Sequence, residues 1–115
     1  MEKYSRLRDL ISTLPEITLV EAPAANDTQL LYAHDPSYLL KIRDGNLSST
    51  ELKEIGFPWS ERMVERSRRS AGATVAACKT ALSEGVAVNL AGGTHHAYRN
   101  MGSGFCVFND SAIAA

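Results

Sequence analysis

The sequence predicts an α/β fold with a parallel sheet, on three observations. A long helical pattern runs from Ser60 to Glu84. A short β-branched run, Val86-Ala87-Val88-Asn89-Leu90, follows at once. A loop rich in glycine and histidine, Ala91-Gly92-Gly93-Thr94-His95-His96, comes next. A helix feeding an apolar strand is half of a βαβ unit. Polar residues just past the C-terminal end of such a strand stand where α/β folds place their sites.

Each element has a local reason. Tyr4, Leu7, Leu10, Ile11 and Leu14 recur at helical spacing until Pro15 ends the pattern. Ile17 to Val20 is a β-rich run and is expected to be a strand, and Ala22 to Asp27 reads as a loop. Short helices are expected around Thr28 to Ala33 and from Pro36 to Arg43, with Asp35 as a cap and Pro36 at the first helical position. Gly45 breaks that pattern, and Ser48 to Ile55 suits another helical turn. In the long helix Ser60 is the N-cap, and Trp59 is placed to staple onto Val64. Val64, Ser67, Ala71, Val75, Cys78 and Leu82 form the predicted buried stripe, with Arg62, Arg66 and Arg69 on a solvated opposite face. Gly85 ends the helix. Val86 to Leu90 is expected to be buried on both faces. Phe105 to Phe108 is a second apolar stretch, and Asn109 or Asp110 is placed to cap a helix that starts at Ser111.

At 115 residues the chain is one domain or a piece of one. Its net charge of -1 provides no field to recruit nucleic acid or an anionic membrane. No apolar run approaches the ~20 residues that span a bilayer, and Met1-Glu2-Lys3-Tyr4 lacks an apolar signal core. Cys78 and Cys106 fit no metal-knuckle spacing. Both are expected to be buried, reduced thiols, which suits a cytoplasmic protein.

Two constellations carry chemistry. Gly92-Gly93 permits a sharp turn, and two histidines on such a turn can face one cavity as proton-transfer groups near neutral pH. The bland alternative is a pair of loop histidines. Gly102-Ser103-Gly104-Phe105 can present an aromatic wall to an extended substrate, or it can be a hinge before a core strand. A metal site built from His34, His95, His96, Cys106 and Asp110 lacks any spacing that fixes those groups around one ion.

Together these segments resemble the histone deacetylase family. The match runs through Asn89-Leu90-Ala91-Gly92-Gly93-Thr94-His95-His96-Ala97 and Gly104-Phe105-Cys106-Val107-Phe108-Asn109-Asp110. Upstream, Leu31-Tyr32-Ala33-His34-Asp35-Pro36-Ser37-Tyr38-Leu39 and Ile55-Gly56-Phe57-Pro58-Trp59-Ser60 agree, the latter looking most like bacterial and class IV-like members. The resemblance covers the chain from about Leu14 onward. It implies the N-terminal portion of a three-layer arginase/deacetylase-type fold with a parallel sheet. It also implies a zinc-dependent hydrolase that removes acetyl groups from acetyl-lysine or a small acetylated amine. By the match, His96 is the general base, His95 its electrostatic or acid partner, and Gly104 and Phe105 line the substrate channel. The family's zinc ligands lie beyond Ala115 in this alignment of motifs. The expectation is therefore an incomplete catalytic domain with no metal ligands of its own, inactive without the remainder. Two other readings stand beside it: a non-catalytic interaction domain, and a phosphate-binding turn at Gly92-Gly93.

Overall fold

The computed structural model describes residues 2–115. Six helices follow one another: α1 (Glu2–Ile11), α2 (Asp27–Leu30), α3 (Pro36–Asp44), α4 (Ser49–Ile55), α5 (Glu61–Glu84) and α6 (Asp110–Ala114). Their ends are set by local chemistry. The Asn26 side chain accepts the Gln29 amide N–H while Gln29 Oε1 accepts that of Asn26, and Ser48 and Glu51 repeat this reciprocal cap on α4. Ser60 Oγ accepts from Met63 N at 3.0 Å. Gly45 and Gly56 close α3 and α4 with φ of 72° and 104°, where a side chain would be strained. Asp35 holds the N-cap position of α3 but makes no cap bond. Its carboxylate instead accepts from Arg99 Nε at 2.8 Å.

The core gathers Leu30, Tyr38, Ile42, Ile55, Met63, Ala71, Val107, Phe108 and Ile113, with α5 packed against α6 and α3. Trp59 and Val64 both pack on this core. The Trp59 indole N–H donates to the Ile42 carbonyl at 2.7 Å, satisfying one of the acceptors that the last turn of α3 leaves open. The chain at Pro23 to Ala25 lies directly on α5. Ala25 N donates to the Arg68 carbonyl at 2.8 Å, and Arg68 Nη1 donates to the Ala25 carbonyl at 3.1 Å.

Three expectations are corrected. No strand forms among the described residues; the one bridge is between Ser103 and Cys106. Val86 and Val88 are 76% and 75% exposed, and no backbone hydrogen bond ties 86–88 to other described residues. A strand is a pairing, and β-branched composition without a partner leaves the segment irregular. Ile17 to Val20 is likewise exposed and joins no strand, its one backbone bond being the local turn from Ile17 N to the Leu14 carbonyl at 3.3 Å. The stripe on α5 also stops early. Ala71 is buried and Val64 and Val75 are packed, but Cys78 is exposed and Leu82 is 90% exposed, because no described element covers that half of the helix. Cys106 is buried as expected. No helix among the described residues is long and apolar enough to cross a membrane.

Candidate active site

The loop from Asn89 to Ala97 is anchored to α5 by short polar side chains. Asn89 Nδ2 donates to the Ser70 carbonyl and to Thr74 Oγ1, both at 2.9 Å, and Asn89 Oδ1 accepts from Ala91 N. Ser70 Oγ donates to the Ala91 carbonyl at 2.8 Å. One helical turn of α5 thus fixes where the glycine bend begins.

The bend itself rests on Asp110, whose side chain is buried. Its carboxylate accepts from Thr74 Oγ1 at 2.7 Å, Gly93 N at 2.8 Å and Thr94 N at 2.9 Å. Burial pushes this carboxyl up, and the hydrogen bonds from Thr74, Gly93 and Thr94 outweigh it, so the net shift is downward. Asp110 therefore contributes stability above the ordinary carboxylate pKa of ~3.9, lost as pH falls through its lower folded value. Asn109 caps α6 through Oδ1, while its Nδ2 donates to the carbonyls of His95 at 3.1 Å and Ala97 at 3.0 Å.

His34 supports this arrangement from below. Its Nε2 accepts from Asn109 N at 2.9 Å, so that nitrogen carries no proton, and its Nδ1 faces the Arg99 carbonyl at 3.2 Å as donor. Burial lowers its pKa against the opposing pull of the Arg99 and Tyr98 carbonyls and of Asp35. The folded state then holds this proton less well than the unfolded state. Neutral His34 contributes its full stability above the ordinary value of ~6.5, and the contribution fades as pH falls through and below it, by at most ~1.4 kcal/mol per pH unit. Urea midpoints of the wild type are expected to fall between pH 7.5 and 5.5, and those of His34→Gln to fall less. Equal slopes in the two proteins would remove His34 from the acid response.

Above this support, His95 and His96 are both exposed, with ring centroids 4.4 Å apart and planes inclined by 34°. His96 lies against Gly104: a Cβ added there would sit 3.2 Å from His96 Cβ. Gly104 and Phe105 form the two central positions of a tight turn, with Ser103 N donating to the Cys106 carbonyl at 3.0 Å and Cys106 N returning the bond at 2.8 Å. Both central residues have positive φ, 52° and 65°, as a type I′ turn requires. An aromatic residue pays roughly 1–2 kcal/mol for that conformation. The strain is held by Gly104 N and Phe105 N, which donate to the Glu54 and Ile55 carbonyls at the end of α4. The result is a Phe105 ring 69% exposed, laid over Gly56 and stacked on Phe57 with centroids 6.1 Å apart. The four predicted site residues therefore share one surface: the histidine pair adjoins the turn that presents the aromatic ring. Tyr98, Arg99 and Asn100 are exposed beside them, Arg99 paired with Asp35.

The residues present do not make a zinc site. Among the described residues no group of three His, Cys, Asp or Glu side chains gathers to hold a metal. His34 has both nitrogens engaged, Asp110 has both oxygens engaged, and Cys106 is buried with its thiol on the Gly104 carbonyl. The phosphate-turn reading meets a similar obstacle, since the Gly93 and Thr94 N–H groups that such a turn offers are already bound to a carboxylate. The structural work of Asp110 and His34 is not apparent from sequence. Their partners are 16 to 75 residues away, and the Asn-Asp pair reads simply as a cap.

The histone deacetylase domain family matches residues 1–115. The chain is 44% identical over 81 residues to an uncharacterized protein of Picosynechococcus sp., covering 70% of this chain and 27% of that one. It is 30% identical over 119 residues to the acetoin utilization protein AcuC of Bacillus subtilis, covering 92% and 31%. It is also 30% identical over 106 residues to histone deacetylase 2 of Arabidopsis thaliana, covering 87% and 27%. Among solved structures, an HDAC homologue complexed with SAHA superposes with a TM-score of 0.78 at 28% identity, over 96% of this chain and 32% of that one. An HDAC homologue from Aquifex aeolicus gives a TM-score of 0.77 at 28% identity over the same shares. The fold is thus that of about a third of each of these HDAC homologues. The chain belongs to the histone deacetylase family, and it spans between about a quarter and a third of the length of these relatives.

Proposed function

We propose that this chain is the N-terminal part of a zinc-dependent amide hydrolase that releases acetate from acetyl-lysine or a small acetylated amine. The observation that carries the reading is the juxtaposition of His96 with Gly104, at the turn that exposes Phe105. In this reading His96 accepts the proton of the attacking water and returns it to the leaving amine, and His95 stabilises the charge that passes through the pair. Gly104 leaves room for a narrow slot, and the Phe105 face packs on the methylene stem of the acylated amine, which is uncharged at its far end. The zinc ion and the strands that pair with Val86 to Leu90 are assigned to the remainder of the catalytic domain. That agrees with the chain covering 27% to 32% of its relatives. A cytoplasmic location is part of the proposal, supported by two unpaired thiols.

The test compares two proteins on an acetylated lysine peptide and an acetylated diamine. The whole protein carrying this chain is expected to release acetate, and to stop when a chelator is added. The isolated 115-residue chain is expected to release none. Chelator-sensitive turnover by the isolated chain would contradict the assignment of the metal to residues outside it.

A further inference from the structure

We propose that Asn109 and Asp110 are positioning residues that hold the tandem histidines in register with the aromatic turn, an inference that rests on the catalytic reading of His95 and His96. Two adjacent side chains hold four backbone groups within residues 93–97. Asp110 takes the N–H groups of Gly93 and Thr94 on separate oxygens, and Asn109 gives both amide protons to the carbonyls of His95 and Ala97. Thr94 Oγ1 in turn accepts from Asp110 N at 3.3 Å. The histidine pair is thereby gripped on both sides of its own backbone.

This grip exceeds what folding demands of the loop. Gly93 and His95 are exposed, so water would satisfy two of the four gripped backbone groups at little cost, while Thr94 is half-buried and Ala97 is buried. A buried carboxylate is instead committed to that segment through Gly93 N at 2.8 Å and Thr94 N at 2.9 Å, and Thr74 Oγ1 ties the same carboxylate to α5 at 2.7 Å. Its use makes sense where a displacement has a consequence. Two glycines make the bend soft, and a soft bend lets the imidazoles wander. The same short segment that carries Asn109 and Asp110 also carries Gly104 and Phe105, and His34 pins its backbone at Asn109 N. The clamp therefore ties the proton-transfer groups and the slot wall to one rigid piece of chain.

The discriminating variant is Asn109→Ser. Serine keeps an N-cap acceptor for α6 but removes both donors to the histidine loop. Asp110→Asn is the second variant, because it takes the carboxylate from Gly93 and Thr94. The controls are His96→Ala and Ile113→Val, the latter a conservative core change that removes no side-chain hydrogen bond to the loop. All are made in the whole protein. The expected result is a kcat lower by on the order of 10–100-fold in Asn109→Ser, as a misplacement near 1 Å produces. KM should stay within about twofold, and the pH profile of kcat should change shape. Amide exchange at Gly93 and Thr94 should speed up in Asp110→Asn. Ile113→Val should lower Tm at least as much as Asn109→Ser while keeping wild-type kcat and pH profile. Wild-type kcat and pH profile in Asn109→Ser, with His96→Ala inactive, would overturn the positioning role and leave the catalytic reading standing. Wild-type activity in His96→Ala would overturn the catalytic reading and this inference with it.

Discussion

Gly72→Ala is expected to destabilise the protein by at least ~2 kcal/mol, at the upper part of the range for overpacked sites. In an isolated helix the same change is favourable by about 1 kcal/mol, because alanine forms helix better than glycine. Context reverses the sign. Gly72 is buried in the middle of α5, where the segment Pro23 to Ala25 crosses it. An added Cβ would collide with the Pro23 carbonyl and would approach Ala25 N to 2.5 Å and Ala24 C to 2.7 Å. These are backbone atoms, so no rotamer change relieves the contact. The crossing segment is itself held to α5 at Arg68 by two hydrogen bonds, and its Asp27 carboxylate accepts from Arg68 Nη2 at 2.6 Å. Moving it away would cost those bonds and the burial of Ala25 and Leu30. Urea denaturation of Gly72→Ala beside the wild type measures the effect. A midpoint equal to or above the wild type would show that the crossing is looser than these distances imply.

How much of this was legible follows from the range over which each feature acts. The ends of α5 could be read because Ser60 and Gly85 act on backbone groups within four residues. Gly92-Gly93-Thr94-His95-His96 and Gly104-Phe105 could be put forward as a candidate site because they lie within one short stretch, and the structure sets His96 against Gly104. Two readings failed where the partner is distant, and the work of Asp110 and His34 stayed unread. Val86 to Leu90 has strand composition, yet composition does not supply the neighbouring strand. Leu82 sits on the correct face of α5, yet periodicity does not reveal that nothing among the described residues covers that face. Asp110 and His34 were weighed as metal ligands because their residue types permit it. Their commitment to Gly93, Thr94 and Asn109 depends on tertiary placement that no spacing encodes. The positive φ at Phe105 was equally silent, since an aromatic residue is a poor choice for that position on local grounds and is retained by the Glu54 and Ile55 carbonyls.

On the proposed function, His96→Ala is expected to lower kcat on acetylated substrate by roughly 10²–10⁴-fold, the range for removing a general acid–base group. Stability should barely change. His96 is exposed, and surface substitutions of that kind usually stay within about 0.5 kcal/mol. The separation of the two readouts is what makes the variant informative, since lost activity at unchanged Tm cannot come from unfolding. His95→Ala should cost less. Its ring is 4.4 Å from that of His96, close enough to stabilise charge there, while His96 is the one seated against Gly104. KM should move little in either variant, because neither ring is the surface that packs on the acyl stem. Steady-state kinetics and thermal melts of the two single variants in the whole protein check this order. A His96→Ala enzyme within about threefold of wild-type kcat would place proton transfer elsewhere. A His95→Ala enzyme slower than His96→Ala would exchange the two roles and move the base one residue back along the glycine turn.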